Sequence, residues 1–539
     1  MAQFINEKET VVAEAIDGLV AASGGRLARL DGYPHTRVVI RQDWDRSKVA
    51  LISGGGAGHE PAHAGFVGKG MLAAAVCGDV FASPTVDAVL AGILAVTGPE
   101  GCLLIVKNYT GDRLNFGLAA ERARSLGVKV AMVIIDDDIA LPELAQPRGV
   151  AGTLFIHKLA GALAESGADL ETVATQARGA VAKIKTIGLS LDTCTVPGSP
   201  KEARIAEGQA ELGLGIHGEP GTEQITFEGA TAAVARMAAR LADAINARPH
   251  VALVNNLGGT SVLEMSVLMH ALSRSAIAER IAHVIGPAAM MTSLDMPGFS
   301  ISLFQAEEAE LRLLQDPTPV PAWPGVAALG PVTKVPLPSG LAPVPFAASE
   351  DAELRARLEG CCAMLMACEE ALNALDAKSG DGDTGSTLAG AAKAMLGAAD
   401  RLPFANHADL CRAIAQELSQ TMGGSSGVLL AIFFAATGDA AASGQSINDA
   451  LRAGLARVQE VGGARLGDRT MIDALSPALD AWPDGREATA AAARAGADHT
   501  ATLLKAEAGR AAYVGAAQLE GHADPGAEAV ARVFEFLAT

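Results

Sequence analysis

Three aspartates stand close together in the stretch LDAKSGDGDTGST, at Asp376, Asp381 and Asp383. Carboxylates packed this tightly repel one another unless a cation lies between them. Hard oxygen ligands with no neighbouring histidine or cysteine favour Mg²⁺ or Ca²⁺ over zinc. The spacing is not that of the EF-hand calcium loop. Because Asp-Gly-Asp turns are also common on surfaces, an ordinary surface turn remains the alternative at this point.

A second glycine cluster, TMGGSSGVLLAIFF from Thr421 to Phe434, predicts a loop with two hydroxyls that runs straight into an apolar helix. Free backbone N–H groups at such a helix start suit a phosphate. The stretch lacks the Gly-Lys-Ser/Thr ending of a P-loop, which disfavours a P-loop NTPase. Carboxylates for Mg²⁺ together with a different anion site are what phosphoryl transfer requires.

The first half carries its own candidate, SGGGAGHEP from Ser53 to Pro61, directly behind the apolar run KVALI. It could be a tight strand-to-helix turn with an incidental histidine. A dinucleotide loop is disfavoured, because the G-x-G-x-x-G pattern is absent and no acidic residue at the end of a following strand is evident. Lys107 and Asp112 follow an apolar strand in IVKNYTGD, and GIHGEPG places His217 in a loop. From the residues alone, a solvated surface histidine remains the expectation for His217.

Composition restricts the class of protein. A chain of 539 residues is expected to form two to four domains. A net charge of −19 and only 4% aromatic residues argue against a nucleic-acid partner. We expect no membrane span, because no segment approaches the roughly 18 uninterrupted apolar residues required. The charged first residues differ from a signal peptide, and the seven scattered cysteines are typical of reduced thiols, so we expect a cytoplasmic protein.

The elements that must position these residues divide at a proline-rich stretch from Asp316 to Phe346. Prolines are too frequent there for helix or central strand, so a semi-rigid linker is predicted, with no side-chain pattern that would hold it to either core. Before it, short apolar runs alternate with alanine-rich helical segments, which indicates α/β layering. The predicted strands contain residues 49–52, 102–106, 129–135 and 250–256.

Beyond the linker the chain is predicted to be all-helical. Apolar residues recur at intervals of four and three, which predicts one long amphipathic helix that ends at the aspartates. Its apolar stripe contains Leu354, Leu358, Cys361, Leu365, Cys368, Leu372 and Leu375.

Seven motifs together resemble the dihydroxyacetone kinases of the single-chain, ATP-dependent form. They are SGGGAGHEP, KNYTGD, GLGIHGEPG, GDGDTG, GGSSG, LGDRTMIDAL and GHADPGA, in the family's order across nearly the whole chain. The resemblance implies a dihydroxyacetone-binding α/β domain of two subdomains at 1–330, a proline-rich linker at 331–346 whose composition begins near 316, and an all-α ATP- and Mg²⁺-binding domain at 347–539. It also implies phosphorylation of dihydroxyacetone in glycerol metabolism.

The resemblance further implies the roles of individual residues. His217 would bind the ketone covalently as a hemiaminal, which selects a ketone against glycerol. Asp112 would accept the proton of the attacking hydroxyl, and His59 would assist as acid or base. The implied substrate contacts are Gly56, Ala57, Gly58, His59, Lys107 and Asp112. Many members carry serine where this chain has Ala57, which affects the fine shape of the pocket.

In the second half, Asp376, Asp381 and Asp383 resemble the ligands of two Mg²⁺ ions that bridge the ATP phosphates. The positions that match nucleotide contacts are Thr384, Gly385, Ser386, Thr387, Ser425, Ser426, Gly462, Met471, Arg510, Asp524, Pro525 and Gly526.

Three alternatives stay open. The substrate could be a related short ketose or aldose such as erythrulose or glyceraldehyde, a side activity that cyclises FAD is conceivable, and some relatives of the separate domains are regulatory binding proteins. The intact aspartates and histidines argue against a regulatory role. A long linker also allows the helical half to reach a second chain, so we expect a homodimer in which catalysis occurs between subunits.

Overall fold

The computed structural model describes residues 3–32, 36–141, 146–339, 341 and 344–539. It divides into two compact units, Met1–Thr333 and Lys334–Thr539. The first unit contains two sheets with helices packed on them, and the regular structure in the described part of the second is helical. The predicted α/β first half and all-helical second half are therefore confirmed.

The first sheet is six-stranded, in the order β1-β2-β4-β3-β5-β6. Strands β4, β3, β5 and β6 are parallel neighbours, and β1 and β2 add antiparallel strands at one edge. The central strands β3 and β5 are buried along their whole length, as their apolar runs predict. The strands are β1 (Leu27–Arg29), β2 (Val38–Arg41), β3 (Ala50–Ala57), β4 (Ala74–Val80), β5 (Cys102–Lys107) and β6 (Val130–Ile135).

The second sheet is seven-stranded and mixed, in the order β13-β11-β10-β12-β7-β8-β9. Only β10 and β11 pair in parallel. The strands are β7 (Ile184–Ser190), β8 (Gln209–Leu212), β9 (Glu223–Thr226), β10 (His250–Asn256), β11 (Ile281–Ala289), β12 (Gly298–Phe304) and β13 (Ala327–Ala328).

Eight helices are described in the first unit: α1 (Val11–Ala21), α2 (Val86–Val96), α3 (Thr110–Ser125), α4 (Thr153–Glu165), α5 (Leu170–Val181), α6 (Ala230–Ala244), α7 (Val262–Leu272) and α8 (Glu308–Gln315). One apolar cluster joins the two sheets. It contains Leu103 of β5, Phe155 of α4 and Phe304 of β12, and the two phenylalanine rings lie 5.2 Å apart between centroids. This shared core allows loops from both sheets to meet at one site.

The helical unit contains α9 (Ala352–Ala367), α10 (Glu369–Ser379), α11 (Thr384–Ala398), α12 (His407–Thr421), α13 (Gly424–Ala442), α14 (Ile447–Gly462), α15 (Ile472–Asp480), α16 (Arg486–Thr500), α17 (Ala516–Leu519) and α18 (Pro525–Ala538). Among the described residues, α13 alone is long and apolar enough to cross a membrane by length and composition. It packs against α12 and α14, and such a helix is weak evidence of a membrane span.

Three local predictions differ from the structure. The single long helix is two helices, α9 and α10, which meet at Cys368. Strand β3 continues through the glycines to Ala57, so the glycine run is not a turn. Helix α13 already begins at Gly424, so Ser425 and Ser426 lie in its first turn and not in a loop.

The proline-rich segment is not free of both cores along its whole length. Val320 and Trp323 are buried in the core of the first unit, and β13 pairs with β11. These apolar side chains gain enough by burial to hold the segment, although its prolines prevent regular structure. The exposed part begins at Gly330. Gly340, Ala342 and Pro343 of the predicted linker lie outside the described residues.

Candidate active site

The chemistry-bearing residues of the first unit meet at the carboxyl ends of the parallel strands. His59 follows β3, Lys107 ends β5, and Asp112 lies in the first turn of α3. The loop after β8 brings His217 from the second sheet to the same place, with its ring centroid 4.7 Å from that of His59. This edge is where open parallel sheets bind ligands.

The glycine run leaves space for other parts of the site. A Cβ placed on Gly55 would lie 3.1 Å from Nζ of Lys107 and 3.4 Å from a carboxylate oxygen of Asp112. A Cβ on Gly56 would lie 2.7 Å from the backbone nitrogen of Ala82. A side chain at position 56 would therefore collide with the neighbouring backbone, and at position 55 a positive φ of 153° and the tight space beside Lys107 and Asp112 favour glycine. Ala57 itself is buried.

His59 is buried and its tautomer follows from its partner. Its Nδ1 lies 2.8 Å from the backbone carbonyl of Thr292. A carbonyl oxygen only accepts, so Nδ1 carries the proton and Nε2 keeps its lone pair. That Nε2 is buried and has no hydrogen-bond partner among the described residues. Burial lowers the pKa of His59 well below its usual range, and the charges of Lys107 and His217 act in the same direction, so the ring is neutral and can accept a proton or a hydrogen bond at Nε2.

His217 is paired with Glu219, two residues further along the same loop. Nδ1 of His217 lies 3.4 Å from the Glu219 carboxylate, which also accepts the backbone N–H of His217 at 2.8 Å. Burial would raise the pKa of Glu219, but the hydrogen bonds and charge of His217 outweigh it and lower that pKa to about 2. The carboxylate therefore holds the proton of His217 on Nδ1 and directs Nε2 away from itself.

Two further aromatic side chains surround His217. The Tyr109 ring lies edge-on to it, with centroids 4.4 Å apart, and the Phe81 ring lies edge-on at 5.4 Å. The Tyr109 hydroxyl is buried without a hydrogen-bond partner in the described part of the chain. The rings of Tyr109 and Phe81 therefore restrict the movement of the His217 ring.

Lys107 and Asp112 supply opposite charges inside the site. Both side chains are buried. Burial lowers the pKa of the Lys107 ammonium, and the carboxylates of Asp112, Glu219 and Glu60 oppose that effect. Nζ of Lys107 is another polar atom with no hydrogen-bond partner among the residues described. The hydroxyl of Ser83 donates a hydrogen bond of 2.5 Å to Asp112 and orients its carboxylate.

Sequence reasoning missed several residues of this site: Gly55, Phe81, Ser83, Tyr109, Glu219 and Thr292. Tyr109 and Glu219 stand within the motifs KNYTGD and GIHGEPG. Their short distance in sequence from Lys107 and His217 could have predicted that they belong to the site. Phe81, Ser83 and Thr292 are far from those motifs in sequence. Only the packing of the loops brings Phe81 and Thr292 to the histidines and Ser83 to Asp112.

The aspartates of the helical unit form a cluster. Asp376 lies in the last turns of α10, and one carboxylate oxygen from each of Asp376, Asp381 and Asp383 lies within 4.8 Å of the others. The Asp376 carboxylate accepts the backbone N–H groups of Asp383 and Thr384 at 2.9 and 3.1 Å, which draws the loop around it. The set consists of hard carboxylate oxygens close enough to share a cation, so it fits Mg²⁺.

The structure brings some predicted nucleotide contacts to this cluster. Thr384, Gly385, Ser386 and Thr387 form the first turn of α11, next to Asp383. Arg510 forms an ion pair with Asp381. The Ser386 hydroxyl donates to Glu369 at 2.7 Å, so this side chain already has an acceptor.

The other predicted contacts fall into two groups. In the first group, Met471 lies beside the segment 524–526, since a Cβ on Gly526 would lie 3.3 Å from the Cβ of Met471. Asp524 is the N-cap of α18, and Pro525 and Gly526 are in the first turn of that helix. The second group lies on two neighbouring helices. Ser425 and Ser426 begin α13, and Gly462 ends α14, which packs against α13. Helix α18 packs against α10, but among the described residues no hydrogen bond or ion pair joins either group to the three aspartates.

Comparison with known proteins gives a family match in both units. The Dak1 domain matches residues 17–322 and the DAK2 domain matches residues 378–539. The chain is 48% identical to the dihydroxyacetone kinase of Citrobacter freundii over 543 residues, which covers 99% of this chain and 98% of that protein. It is 41% identical to the human protein named triokinase/FMN cyclase, with 98% of each chain covered.

A solved structure is also similar along the full length. The crystal structure of the C. freundii dihydroxyacetone kinase in complex with AMP-PNP and Mg²⁺ matches with a TM-score of 0.71 and 46% sequence identity. The match covers 100% of this chain and 99% of that one.

Proposed function

Because the chain belongs to the dihydroxyacetone kinase family, we propose that it transfers the γ-phosphoryl group of ATP to a hydroxyl of dihydroxyacetone, which yields dihydroxyacetone phosphate and ADP. The observation that carries this proposal is the meeting of His217, His59, Lys107 and Asp112 in one buried site. These residues supply a nitrogen lone pair, an ammonium group and a carboxylate, which suit the binding of a small molecule that carries a carbonyl and hydroxyls.

The ketone is captured on His217. Nε2 adds to the carbonyl carbon, so an N–C bond forms while the C–O double bond becomes single. Nδ1 loses its proton and the former carbonyl oxygen gains one. The net result is the transfer of one proton from the imidazole to this oxygen, which becomes a hydroxyl. The Glu219 carboxylate, 3.4 Å from Nδ1, neutralises the positive charge that the ring develops during the addition. Glycerol has no carbonyl and cannot form this bond.

Activation of the attacking hydroxyl falls to Asp112 and His59. The Asp112 carboxylate, oriented by Ser83, accepts the hydroxyl proton as the oxygen attacks the γ-phosphorus. Nε2 of His59 has a lone pair free to accept a substrate hydrogen bond. The Lys107 ammonium lies close to this carboxylate across Gly55, where it stabilises the negative charges of base and substrate.

In the helical unit, Asp376, Asp381 and Asp383 would hold Mg²⁺ with the ATP phosphates, as their oxygen cluster fits this ion. Bound Mg²⁺ supplies neutralisation of the charge on the triphosphate.

A substrate panel tests the proposed function. ATP- and Mg²⁺-dependent ADP release is measured with dihydroxyacetone, glyceraldehyde, erythrulose and glycerol, for the unaltered enzyme and for His217→Ala. We expect the highest kcat/KM with dihydroxyacetone, no turnover of glycerol, and a large loss for the ketones in His217→Ala. The exposed His407, changed to alanine, is the matched control. Turnover of glycerol at a rate similar to that of dihydroxyacetone would contradict the proposal.

The same panel addresses the related short sugars. The human relative is named triokinase/FMN cyclase, and a tomato relative, 42% identical, is named a putative 3,4-dihydroxy-2-butanone kinase. Glyceraldehyde and erythrulose are therefore the second candidates for the same site. Incubation with FAD and detection of a cyclic flavin phosphate tests the cyclising activity.

Assembly and location complete the proposal. We infer a homodimer, supported by exposed apolar side chains on one helix, α7: Val262 is 83%, Leu263 76% and Val267 48% exposed. These residues would be covered by a second copy. We also infer a cytoplasmic enzyme, supported by its seven free cysteines, which suit a reducing compartment.

A further inference from the structure

Phe81 has a backbone conformation that a bulky side chain rarely adopts. Its φ angle is 55°, in the left-handed region, where steric crowding of Cβ disfavours residues other than glycine. It lies directly after β4, and its backbone N–H donates to the carbonyl of Ala57 at 2.9 Å. The surrounding structure must therefore hold Phe81 in this conformation, and such residues concentrate at functional sites.

The ring of Phe81 occupies the space left by the glycine run. A Cβ on Gly58 would lie 2.8 Å from the Phe81 ring, and a Cβ on Gly56 would lie 2.9 Å from its Cα. Leu294 borders Gly58 from the second sheet, and its own φ is also 55°. Phe81 and Leu294 are thus two residues other than glycine with a left-handed backbone conformation, one from each sheet, and both pack against Gly58.

The Phe81 ring contacts both histidines of the site. It is stacked on His59, with centroids 5.4 Å apart and 26° between the planes. It lies edge-on to His217, with centroids 5.4 Å apart and 87° between the planes. The histidine rings are themselves 4.7 Å apart at 79°. The three rings are in mutual contact, so the ring of Phe81 restricts the rotation of both imidazoles, in addition to their hydrogen bonds to Thr292 and Glu219.

We propose that Phe81 is a positioning residue, which holds His59 and His217 so that both rings address one bound ketone. This inference rests on the proposed function. The left-handed backbone turns the ring against both histidines, and the glycines at 56 and 58 make room for it. A flat ring is needed, because an aliphatic side chain of similar size would fill the space without fixing the orientation of either imidazole.

The test compares Phe81→Gly, Phe81→Leu and Phe81→Tyr in the full-length enzyme. Glycine relieves the backbone conformation and removes the ring, leucine keeps apolar bulk without a flat face, and tyrosine keeps the ring. The fraction of [2-¹³C]dihydroxyacetone held as the hemiaminal is measured by ¹³C NMR without ATP, together with kcat/KM. We expect glycine and leucine to lower both, with kcat/KM falling on the order of 10–100-fold, because small misplacements of reacting groups have costs of this size.

Three controls separate positioning from folding. Phe81→Tyr is expected to keep the adduct near the level of the unaltered enzyme. The calorimetric affinity for Mg·ATP is expected to be the same in all variants, since the nucleotide candidates lie in the other unit. Arg46→Gly is matched for backbone relief, because Arg46 also has a positive φ, of 63°, is exposed and precedes β3 at the opposite end from the site; it should raise Tm and leave the adduct unchanged.

Each outcome has a distinct meaning. If the unaltered enzyme forms no adduct, the proposed ketone capture fails, whatever the variants do. If it forms the adduct and both Phe81→Gly and Phe81→Leu form it equally well with unchanged kcat/KM, the role of Phe81 is wrong and the proposed function stands. A Phe81→Tyr enzyme that loses the adduct as completely as Phe81→Gly would also overturn the role of the flat ring. Phe81→Leu decides the question if the glycine variant does not fold.

Discussion

The carboxylate of Glu219 accepts the backbone N–H of His217 at 2.8 Å and lies 3.4 Å from Nδ1 of the same residue. One side chain thus fixes both the loop and the tautomer of the proposed nucleophile. Because burial alone would raise the pKa of Glu219 and the contacts with His217 lower it to about 2, the carboxylate stays charged throughout the physiological range.

We predict that Glu219→Gln lowers kcat/KM for dihydroxyacetone about 10–100-fold, because hydrogen bonds to charged groups contribute about 1.5–3 kcal/mol. Glutamine still accepts the backbone N–H but cannot neutralise the ring. Steady-state kinetics provide the measurement, with the exposed Glu228→Gln as the control. Unaltered kinetics in Glu219→Gln would show that His217 does not depend on this carboxylate.

The hydroxyl of Ser83 donates to Asp112 at 2.5 Å, so Ser83→Ala should leave the proposed base without its orienting partner. We expect kcat to fall about tenfold, which corresponds to about 1.4 kcal/mol and is near the lower limit for a hydrogen bond to a carboxylate. Rapid-quench measurement of phosphoryl transfer checks this, and Ser166→Ala, at an exposed serine, is the control. A normal rate of phosphoryl transfer in Ser83→Ala would show that Ser83 is not needed to orient the carboxylate of Asp112.

The aspartate cluster predicts strict dependence on Mg²⁺. With three carboxylates within 4.8 Å, ATP should not bind while they are unneutralised, since its phosphates would add further negative charge. Calorimetry is expected to show ATP binding with Mg²⁺ and none with chelator, and a weaker affinity in Asp381→Asn. Asp484→Asn, at an exposed aspartate of the same unit, should behave like the unaltered protein. Equal ATP affinity in chelator would disprove the role of the cluster.

Three of the buried histidines of the first unit predict its sensitivity to acid. His59, His63 and His157 are at most 3% exposed, and Nδ1 of His63 lies 2.9 Å from Nε2 of His157. Burial, and then the charge of Lys107, lowers the pKa of all three, that of His157 to about 3. Below the unfolded value near 6.5 the unfolded chain therefore binds more protons than the folded one, and stability falls as pH falls.

The free energy of unfolding by denaturant, measured between pH 7.5 and 5.5, should decrease below pH 6.5 with a slope of up to about 1.4 kcal/mol per pH unit for each histidine. His157→Gln is expected to reduce this slope, whereas His270→Gln, at an exposed position, should not. A slope that is identical in His157→Gln and the unaltered protein would contradict the assignment of His157 as a neutral buried ring.

Transfer between subunits can be tested by complementation. Asp112→Asn removes the proposed base in one unit and Asp381→Asn removes a proposed metal ligand in the other, so each chain alone should be inactive. If the subunits of the inferred homodimer exchange and catalysis occurs between them, a mixture should regain activity. Mass spectrometry of differently labelled chains verifies the exchange. If no activity is recovered after verified exchange, both sets of residues must act within the same chain.

The sequence by itself determined the class of each half. Short apolar runs without polar alternation are typical of strands buried on both faces, as in β3 and β5, and the alanine-rich second half has helical periodicity. It also singled out Asp376, Asp381 and Asp383, which are near one another in the chain and therefore near one another in space. Local chemistry of this kind is readable because short sequence separation limits the distance between side chains.

Only the tertiary structure decided which distant residues meet. His59 and His217 are far apart in sequence and belong to loops of different sheets, yet their rings lie 4.7 Å apart. Phe81, Ser83 and Thr292 stand in no motif, and they reach the site because an apolar cluster shared by both sheets fixes the loops against each other. Val320 and Trp323 likewise show that burial of two side chains can hold a proline-rich segment on a core. Such contacts depend on the packing of whole elements, which the spacing of residues along the chain does not specify.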